Sequence, residues 1–499
     1  MTEFSTKLKR IMFQLNLLCL MVLLFSACKE KSHSEENNTV EDKKKHPNIV
    51  LILADDLGYG DPQVYNPNSK IPTPNIDKMA NEGMLFTDAH TNSSVCTPTR
   101  YGIITGQYSW RSSLKNGVTW SYDPLIIDTT STTIASLLKA NGYNTAAVGK
   151  WHIGLDWQKS ENDSVLFNKE LRKSPINLGF NYFYGIAASL DIPPYVYIEN
   201  NKVVEQPNGF SQGTSPTYKD DFWRKGPVSP DFDHYDVLNN FTEKAIAVIK
   251  EQKEKDNPFF VYLPLTAPHL PWIPKDGFKG KSEAGNYGDL TAEVDDVVGR
   301  INKVLKELNL EEETLVIFTS DNGSQFSSEN MAKYNHKAND QWRGRKGDIY
   351  EGGHRVPFIV KWPAKIKANQ KSDQLVSTTD FLATFAELVG AEVPTNEIKD
   401  SESFLPVLLG NSEGKDLRNT MVYHSAKGMF AIRDNNWVLV DGKGSGGFLE
   451  APDTTQIEKG KQLYNLEKDP SQQTNEYENK EAVEKSLLEK LNAIKNATK

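Results

Sequence analysis

The sequence predicts an α/β fold: a large mixed β-sheet sandwiched by helices, followed by a smaller C-terminal α+β domain with an antiparallel sheet. Continuous apolar runs at 48–54, 258–263 and 314–319 lack polar alternation, as strands buried on both faces do. Helical stretches at 75–82, 133–140, 236–254 and 289–308 lie between or before them. Beyond about residue 400 the pattern changes to short hairpin-type strands at 420–423, 429–433 and 437–440, closed by a helix over 482–493.

The first 27 residues read as an export signal. Lys7, Lys9 and Arg10 form a positive head, and the nine residues 17–25 form an apolar core. That core is short of the roughly twenty residues a bilayer-spanning helix needs. Ser26-Ala27 before Cys28 resembles a bacterial lipobox, where the signal is cut and the cysteine is acylated; an ordinary signal peptide is the alternative. Both readings export the protein, and the first anchors it to a bacterial membrane through Cys28. Residues 28–45, rich in Glu, Lys, Ser and Asn, read as a flexible tether. Cys19 then leaves with the signal and Cys28 takes lipid, so Cys96 is the lone thiol of the body.

The domain over 46–399 opens with the strand at 48–54, which stops at Asp55-Asp56. A helix follows Pro74, and another at 133–140 precedes a strand at 145–148. Residues 155–235, Pro- and aromatic-rich with little periodicity, read as long loops. The strand at 314–319 ends in Ser320-Asp321-Asn322-Gly323, a strand is expected over 356–361, and a helix over 379–389. The domain over 400–499 completes the chain. With 499 residues, 38% hydrophobic and a net charge of −9, the composition excludes a multi-span membrane protein and argues against nucleic acid as a partner.

In open α/β sheets the ligand lies at the carboxyl ends of the strands. Asp55, Asp56, Asp321 and Asn322 occupy two such ends. Three carboxylates crowded there repel one another unless a cation sits between them, and all-oxygen donors point to Ca²⁺ or Mg²⁺ rather than zinc.

The segment Cys96-Thr97-Pro98-Thr99-Arg100, continued by Ile103-Ile104-Thr105-Gly106, resembles the signature of the type I sulfatases of the alkaline-phosphatase superfamily. Further blocks follow in the family's order: Gly149-Lys150-Trp151-His152, Pro268-His269, Ser320 to Gly323, Gly344-Arg345-Lys346, Glu351 to Pro357, and Leu463 to Leu466 with Asp469-Pro470. The position after Thr105-Gly106, commonly Arg in the family, is Gln107.

The resemblance implies an alkaline-phosphatase-like fold, one Ca²⁺ per chain, and Cys96 converted by a maturation enzyme to Cα-formylglycine (3-oxoalanine). It places the metal on Asp55, Asp56, Cys96, Asp321 and Asn322. Catalytic roles fall to Cys96, Arg100, Lys150, His152 as base, His269 as acid and Lys346. Lys150, His269 and Lys346 also face the substrate, and Ser189 and Asp191 are further candidates. With an export signal, the implied substrate is external sulfated carbohydrate, such as algal ulvan, carrageenan, fucoidan or glycosaminoglycan. A phosphatase or phosphonate hydrolase of the same superfamily, and a non-catalytic lipoprotein binding sulfated glycans, are the rival readings.

Overall fold

The run at 48–54 forms strand β1 (Asn48–Ala54). Its side chains alternate between two hydrophobic cores, Ile49, Leu51 and Leu53 entering one, Val50, Ile52 and Ala54 the other. Neither face meets water, which is why the run shows no polar alternation.

The rest of the sheet comprises β2 (Met84–Phe86), β3 (Asn144–Lys150), β4 (Tyr182–Ile186), β5 (Phe259–Pro264), β6 (Thr314–Ser320), β7 (Phe358–Lys361) and β8 (Gln370–Ser372). They lie in the order β8-β2-β7-β6-β1-β5-β3-β4, and the short strands Ile198–Glu199 and Lys202–Val203 extend the β4 edge to ten strands. The central five, β6 to β4, run parallel, whereas β7 is antiparallel to both β6 and β2. The sheet is therefore mixed, and the parallel strands deliver their carboxyl ends to one edge.

Helices cover both faces. On one side lie α1 (Pro74–Asn81), α4 (Val237–Lys253) and α5 (Gly285–Glu307), through residues such as Met79, Phe241 and Val297. On the other lie α2 (Cys96–Thr105), α3 (Ile134–Ala140) and α6 (Phe381–Val389), through Ile103, Leu138 and Phe385.

A computed structural model of the chain describes residues 46–214, 220–415, 417–448 and 460–497. The export segment 1–27, Cys28 and the tether over 28–45 lie outside the described residues. Among the described residues no helix is long and apolar enough to cross a membrane.

The expectation of loops throughout 155–235 is corrected by β4, which pairs in register with β3 from Ala146 to Lys150. Five residues, Tyr-Phe-Tyr-Gly-Ile, are too few to display a period, and Gly185 has low strand propensity. That glycine is required, because a Cβ there would meet the Gly149 carbonyl oxygen at 1.9 Å.

The C-terminal sheet is the antiparallel meander β9 (Thr420–His424), β10 (Phe430–Asp434), β11 (Trp437–Val440) and β12 (Gln462–Asn465). Helix α7 (Glu481–Asn496) packs Leu487 and Leu491 on one face against Val422, Ile432 and Leu439. The other face packs on Ile349 and Tyr350. The end of β9 grips two distant segments. The His424 carbonyl accepts from Ser94 N at 3.2 Å and the Ser93 hydroxyl at 3.1 Å, while Ala426 N donates to the Gly347 carbonyl at 2.9 Å. One segment leads into Cys96 and the other leaves Lys346.

Candidate active site

Four parallel strand ends converge here. β1 gives way to Asp55 and Asp56, β6 to Asp321 and Asn322, β3 ends in Lys150 with His152 two residues on, and Pro268-His269 follows β5. Asp56 and His152 turn the chain with φ of 66° and 59°, a left-handed conformation that Asp and His tolerate better than branched residues. In the Gly149-Lys150 pair, Gly149 has φ of 136°, and a Cβ there would lie 1.9 Å from the Pro264 oxygen of β5. Only glycine lets β3 close on β5 and bring Lys150 to the edge.

Helix α2 starts at Cys96 and stops at Gly106, which adopts φ of 65° as its left-handed cap and leaves no room for a Cβ beside Leu382. The whole helix is buried. Gln107, just past the cap, donates from its amide to the Glu397 carbonyl at 3.4 Å.

These elements bring Asp55, Asp56, Cys96, Arg100, Lys150, His269, Asp321, Asn322 and Lys346 into one buried cluster. Cys96 Sγ lies 3.7 Å from Asp55 Oδ1, and Lys150 Nζ lies 2.7 Å from Asp55 Oδ2. Arg100 donates from Nε and Nη2 to Asp321 Oδ2 at 2.9 and 2.7 Å, and from Nη1 to the Lys150 carbonyl at 2.9 Å. Asp56 receives Lys346 Nζ at 2.9 Å and Asn322 Nδ2 at 2.7 Å, with His269 Nε2 at 3.7 Å.

His152 is bound at three points. Its Nε2 lies 2.9 Å from the Thr119 carbonyl, which can only accept, so Nε2 carries the proton and Nδ1 keeps a lone pair. Nδ1 is buried and makes no hydrogen bond. The His152 carbonyl accepts from the Thr97 hydroxyl at 2.9 Å, and its N–H donates to the Ala187 carbonyl at 3.0 Å. Thr97 adjoins Cys96, so the imidazole is tied to the start of α2.

The electrostatics follow from burial and from these pairs. Burial alone raises the Asp55 carboxyl, but Lys150, His269 and Arg100 around it hold it well below the ordinary carboxylate range. Burial and the Asp55 charge raise Asp321. Burial, then Lys150 and Arg100, keep His152 well below the usual imidazole range, so it is neutral. Burial pushes the Cys96 thiol up to about 12, so as a thiol this residue stays protonated.

The expected repulsion among three bare carboxylates is not the arrangement observed. Lys150 pairs with Asp55, Lys346 with Asp56 and Arg100 with Asp321, so side chains already balance the carboxylates. The case for a cation rests instead on a buried acceptor left without a partner and on the ligand atoms clustered beside it. Asn322 Oδ1 is buried without a hydrogen-bond partner, and Asp55, Asp56, Cys96 and His269 each offer a ligand atom within 4.8 Å of the others. The carboxylate oxygens of Asp55 and Asp56 with the Asn322 amide oxygen fit a hard oxygen-seeking ion, whereas the Cys96 sulfur and the His269 nitrogen do not, so residue 96 suits such an ion only when it carries oxygen in place of sulfur.

Ser189 and Asp191 are also buried, but among the described residues no hydrogen bond or ion pair joins them to the cluster; Asp191 pairs with Arg224. His354 and Arg355 belong to a separate buried network: Arg355 bonds Glu351 at 2.8 Å and Asp88 at 2.7 Å, and His354 Nδ1 lies 3.0 Å from His90 Nδ1. The sequence did not point to Thr119, because it acts through its backbone carbonyl, nor to Arg224, which lies in no motif.

The sulfatase family model matches residues 47–391 of the chain. The chain belongs to the sulfatase family. This sulfatase's residues 342–497 also match the C-terminal region of N-sulphoglucosamine sulphohydrolase. It is 33% identical to N-acetylgalactosamine-6-O-sulfatase of Bacteroides thetaiotaomicron, over 95% of this chain and 97% of that protein. A solved structure from work on glycosaminoglycan metabolism by the same organism aligns with a TM-score of 0.79 at 32% identity, over 90% of this chain and 99% of that one. The structure of Ps i-CgsB in complex with k-i-k-neocarrahexaose aligns with a TM-score of 0.69 at 26% identity, over 91% and 94% of the two chains. The sulfatase is thus an enzyme that hydrolyses sulfate esters on an alkaline-phosphatase-like fold with an added C-terminal antiparallel sheet.

Proposed function

We propose that this sulfatase desulfates a sulfated glycan, with a 6-sulfated N-acetylgalactosamine unit as the leading substrate, using formylglycine made from Cys96 and a Ca²⁺ ion. The observation that carries the reading is the placement of Cys96 beside Asp55, in a cradle built from four strand ends and lined by Lys150, Arg100 and Lys346. The similarity to N-acetylgalactosamine-6-O-sulfatase over nearly all of both chains supports the sugar. Asp55, Asp56, Asp321 and Asn322, with residue 96, are the groups that would hold the ion.

Formylglycine, as its hydrate, supplies two geminal hydroxyls, one to displace the alcohol from sulfur and one whose ionisation expels sulfate; Ca²⁺ supplies charge for the sulfate oxygens. His152 takes up a proton at Nδ1, the atom left without a partner. Lys150 and Lys346 offset the charge of the sulfate. His269, whose Nδ1–H donates to the Leu270 carbonyl at 2.6 Å, acts as the imidazolium: it delivers the Nε2 proton to the leaving sugar oxygen and becomes neutral, assisted by Lys346. Arg100 holds Asp321 and the Lys150 backbone in place. Export and tethering through lipid on Cys28 complete the proposal, and they suit a substrate outside the cell.

The test uses protein produced with the maturation enzyme, assayed on N-acetylgalactosamine 6-sulfate and on matched aryl sulfate and aryl phosphate. Sulfate release from the sugar is expected, with kcat/KM for aryl sulfate exceeding that for aryl phosphate by roughly 100-fold or more. A preference for phosphate sinks the reading in favour of a phosphatase.

Metal removal gives a second measurement. Dialysis against a Ca²⁺ chelator is expected to stop turnover and lower unfolding stability by about 2.7 kcal/mol relative to protein holding Ca²⁺ at about 100 times its Kd. Added Ca²⁺ restores both. Unchanged activity and unfolding temperature after chelation count against a resident ion.

A further inference from the structure

The residues assigned so far meet the sulfate and the reacting atoms; the sugar needs its own recognition surface. Three side chains from distant segments, Trp120, Asp191 and Arg224, are joined to one another, and two of those segments are bonded to His152. Trp120 directly follows Thr119, whose carbonyl accepts the hydrogen bond from His152 Nε2. A turn closed by Trp120 N to Asp123 Oδ2 at 2.7 Å displays its indole, which is 50% exposed although most aromatic residues of this chain are buried. The Arg224 guanidinium lies 5.2 Å from the centre of a Trp120 ring. Arg224 also pairs through Nη1 with Asp191 Oδ2, and its backbone N–H donates to the Asp191 carbonyl at 3.1 Å. Asp191 stands four residues past Ala187, whose carbonyl takes the His152 N–H. Two of the three segments bearing this group are therefore bonded to the proposed base, and the third, with Arg224, is held by Asp191.

Asp191 is only 5% exposed, and its Oδ1 is buried without a hydrogen-bond partner. A buried carboxylate oxygen left without a donor is costly, and a ligand hydroxyl or amide N–H that reaches it removes the cost. The exposed Trp120 indole, joined to Asp191 through Arg224, offers a flat apolar face. Together these suit a pyranose, which has one C–H-rich face and hydroxyls at its rim. The charge is selective as well: Arg224 is already engaged by Asp191, so a uronate carboxylate would meet the Asp191 charge rather than a cation.

We propose that Trp120, Arg224 and Asp191 form the wall that recognises the sugar bearing the sulfate, and that this sugar is a neutral hexose or N-acetylhexosamine rather than a uronic acid. The Trp120 ring stacks on the C–H face, Asp191 Oδ1 accepts a hydrogen bond from a ring hydroxyl or amide, and Arg224 is a positioning residue that holds both. This rests on the sulfatase reading above.

The experiment measures kcat and KM for the parent enzyme, Asp191→Asn and Trp120→Ala on N-acetylgalactosamine 6-sulfate, a 2-sulfated uronic acid and an aryl sulfate. The aryl ester has no hydroxyl for Asp191 to read. Asp191→Asn is expected to lower kcat/KM on the sugar by roughly 100-fold or more while leaving the aryl sulfate within about twofold. Because that change also loosens the Arg224 pair, Trp120→Ala, at an exposed position, is the second variant. It should raise KM for the sugar about tenfold with kcat little changed. Equal losses on sugar and aryl ester, no loss on either, or a parent enzyme that prefers the uronic acid overturns the inference and leaves the sulfatase reading standing. A parent enzyme that hydrolyses none of the three overturns that reading itself.

Discussion

Cys96→Ala is expected to abolish sulfate release, by on the order of 10⁶-fold, in a protein that still folds. The side chain sits in the first turn of α2, its sulfur approaches Asp55 Oδ1 at 3.7 Å, and alanine is the strongest helix former. Little holds the fold together through this sulfur, and all of the proposed chemistry passes through the atom that replaces it. Cys96→Ser sharpens the test. A serine hydroxyl has no geminal partner to expel the sulfate, so one equivalent of alcohol should appear in a burst and the enzyme should remain sulfated. Mass spectrometry of the peptide ending at Arg100 reads the trapped ester, and in the parent protein it reads the aldehyde. Multiple turnovers by either variant would remove formylglycine from the mechanism.

Arg100→Gln is expected to cost about 3–5 kcal/mol of stability, because it strands the Asp321 charge inside the protein. Arg100 is fully buried and has no exchange with solvent to soften the loss. At roughly 2.1 cal/mol/K per residue, a protein of this length loses about 3–5 °C in Tm. Activity should fall by about 100-fold or more as well, since the same guanidinium positions Asp321 and the Lys150 backbone. Arg100→Lys is expected to fail too, because a single ammonium cannot reproduce the fork of bonds. Adding Asp321→Asn to Arg100→Gln should recover stability without recovering activity. A single variant as stable as the parent would show that the pair contributes nothing to the fold.

Much of this architecture was legible in the sequence for a simple reason. β1 and β6 are buried on both faces, so their central residues, 49–54 and 315–318, are an unbroken apolar run, and each strand stops where a carboxylate begins. Cys96, Arg100, Lys150, His152, His269 and Lys346 could be singled out because each lies in a short block with spacing set by one turn or strand end. What stayed hidden depends on contacts without a local pattern. β4 is five residues long and contains the glycine that its neighbour demands. Thr119 holds His152 through a carbonyl, an atom every residue possesses. The neutralisation of Asp55, Asp56 and Asp321 by Lys150, Lys346 and Arg100 arises between residues from 95 to 290 positions apart, so a charge argument made from sequence neighbours alone overestimated their repulsion.

For the proposed conversion of Cys96, the burial of residue 96 would also set an order of events during biosynthesis. In the finished molecule its side chain is 1% exposed, and the groups that enclose it come from far downstream: Arg100 awaits Asp321, 221 residues later, and Ser93 awaits His424, 331 residues later. An enzyme acting on this sulfur would find it open only while the chain is still extended, before those partners have been made or have docked. That window would close when the C-terminal sheet arrives, and a copy that folded first would keep the thiol.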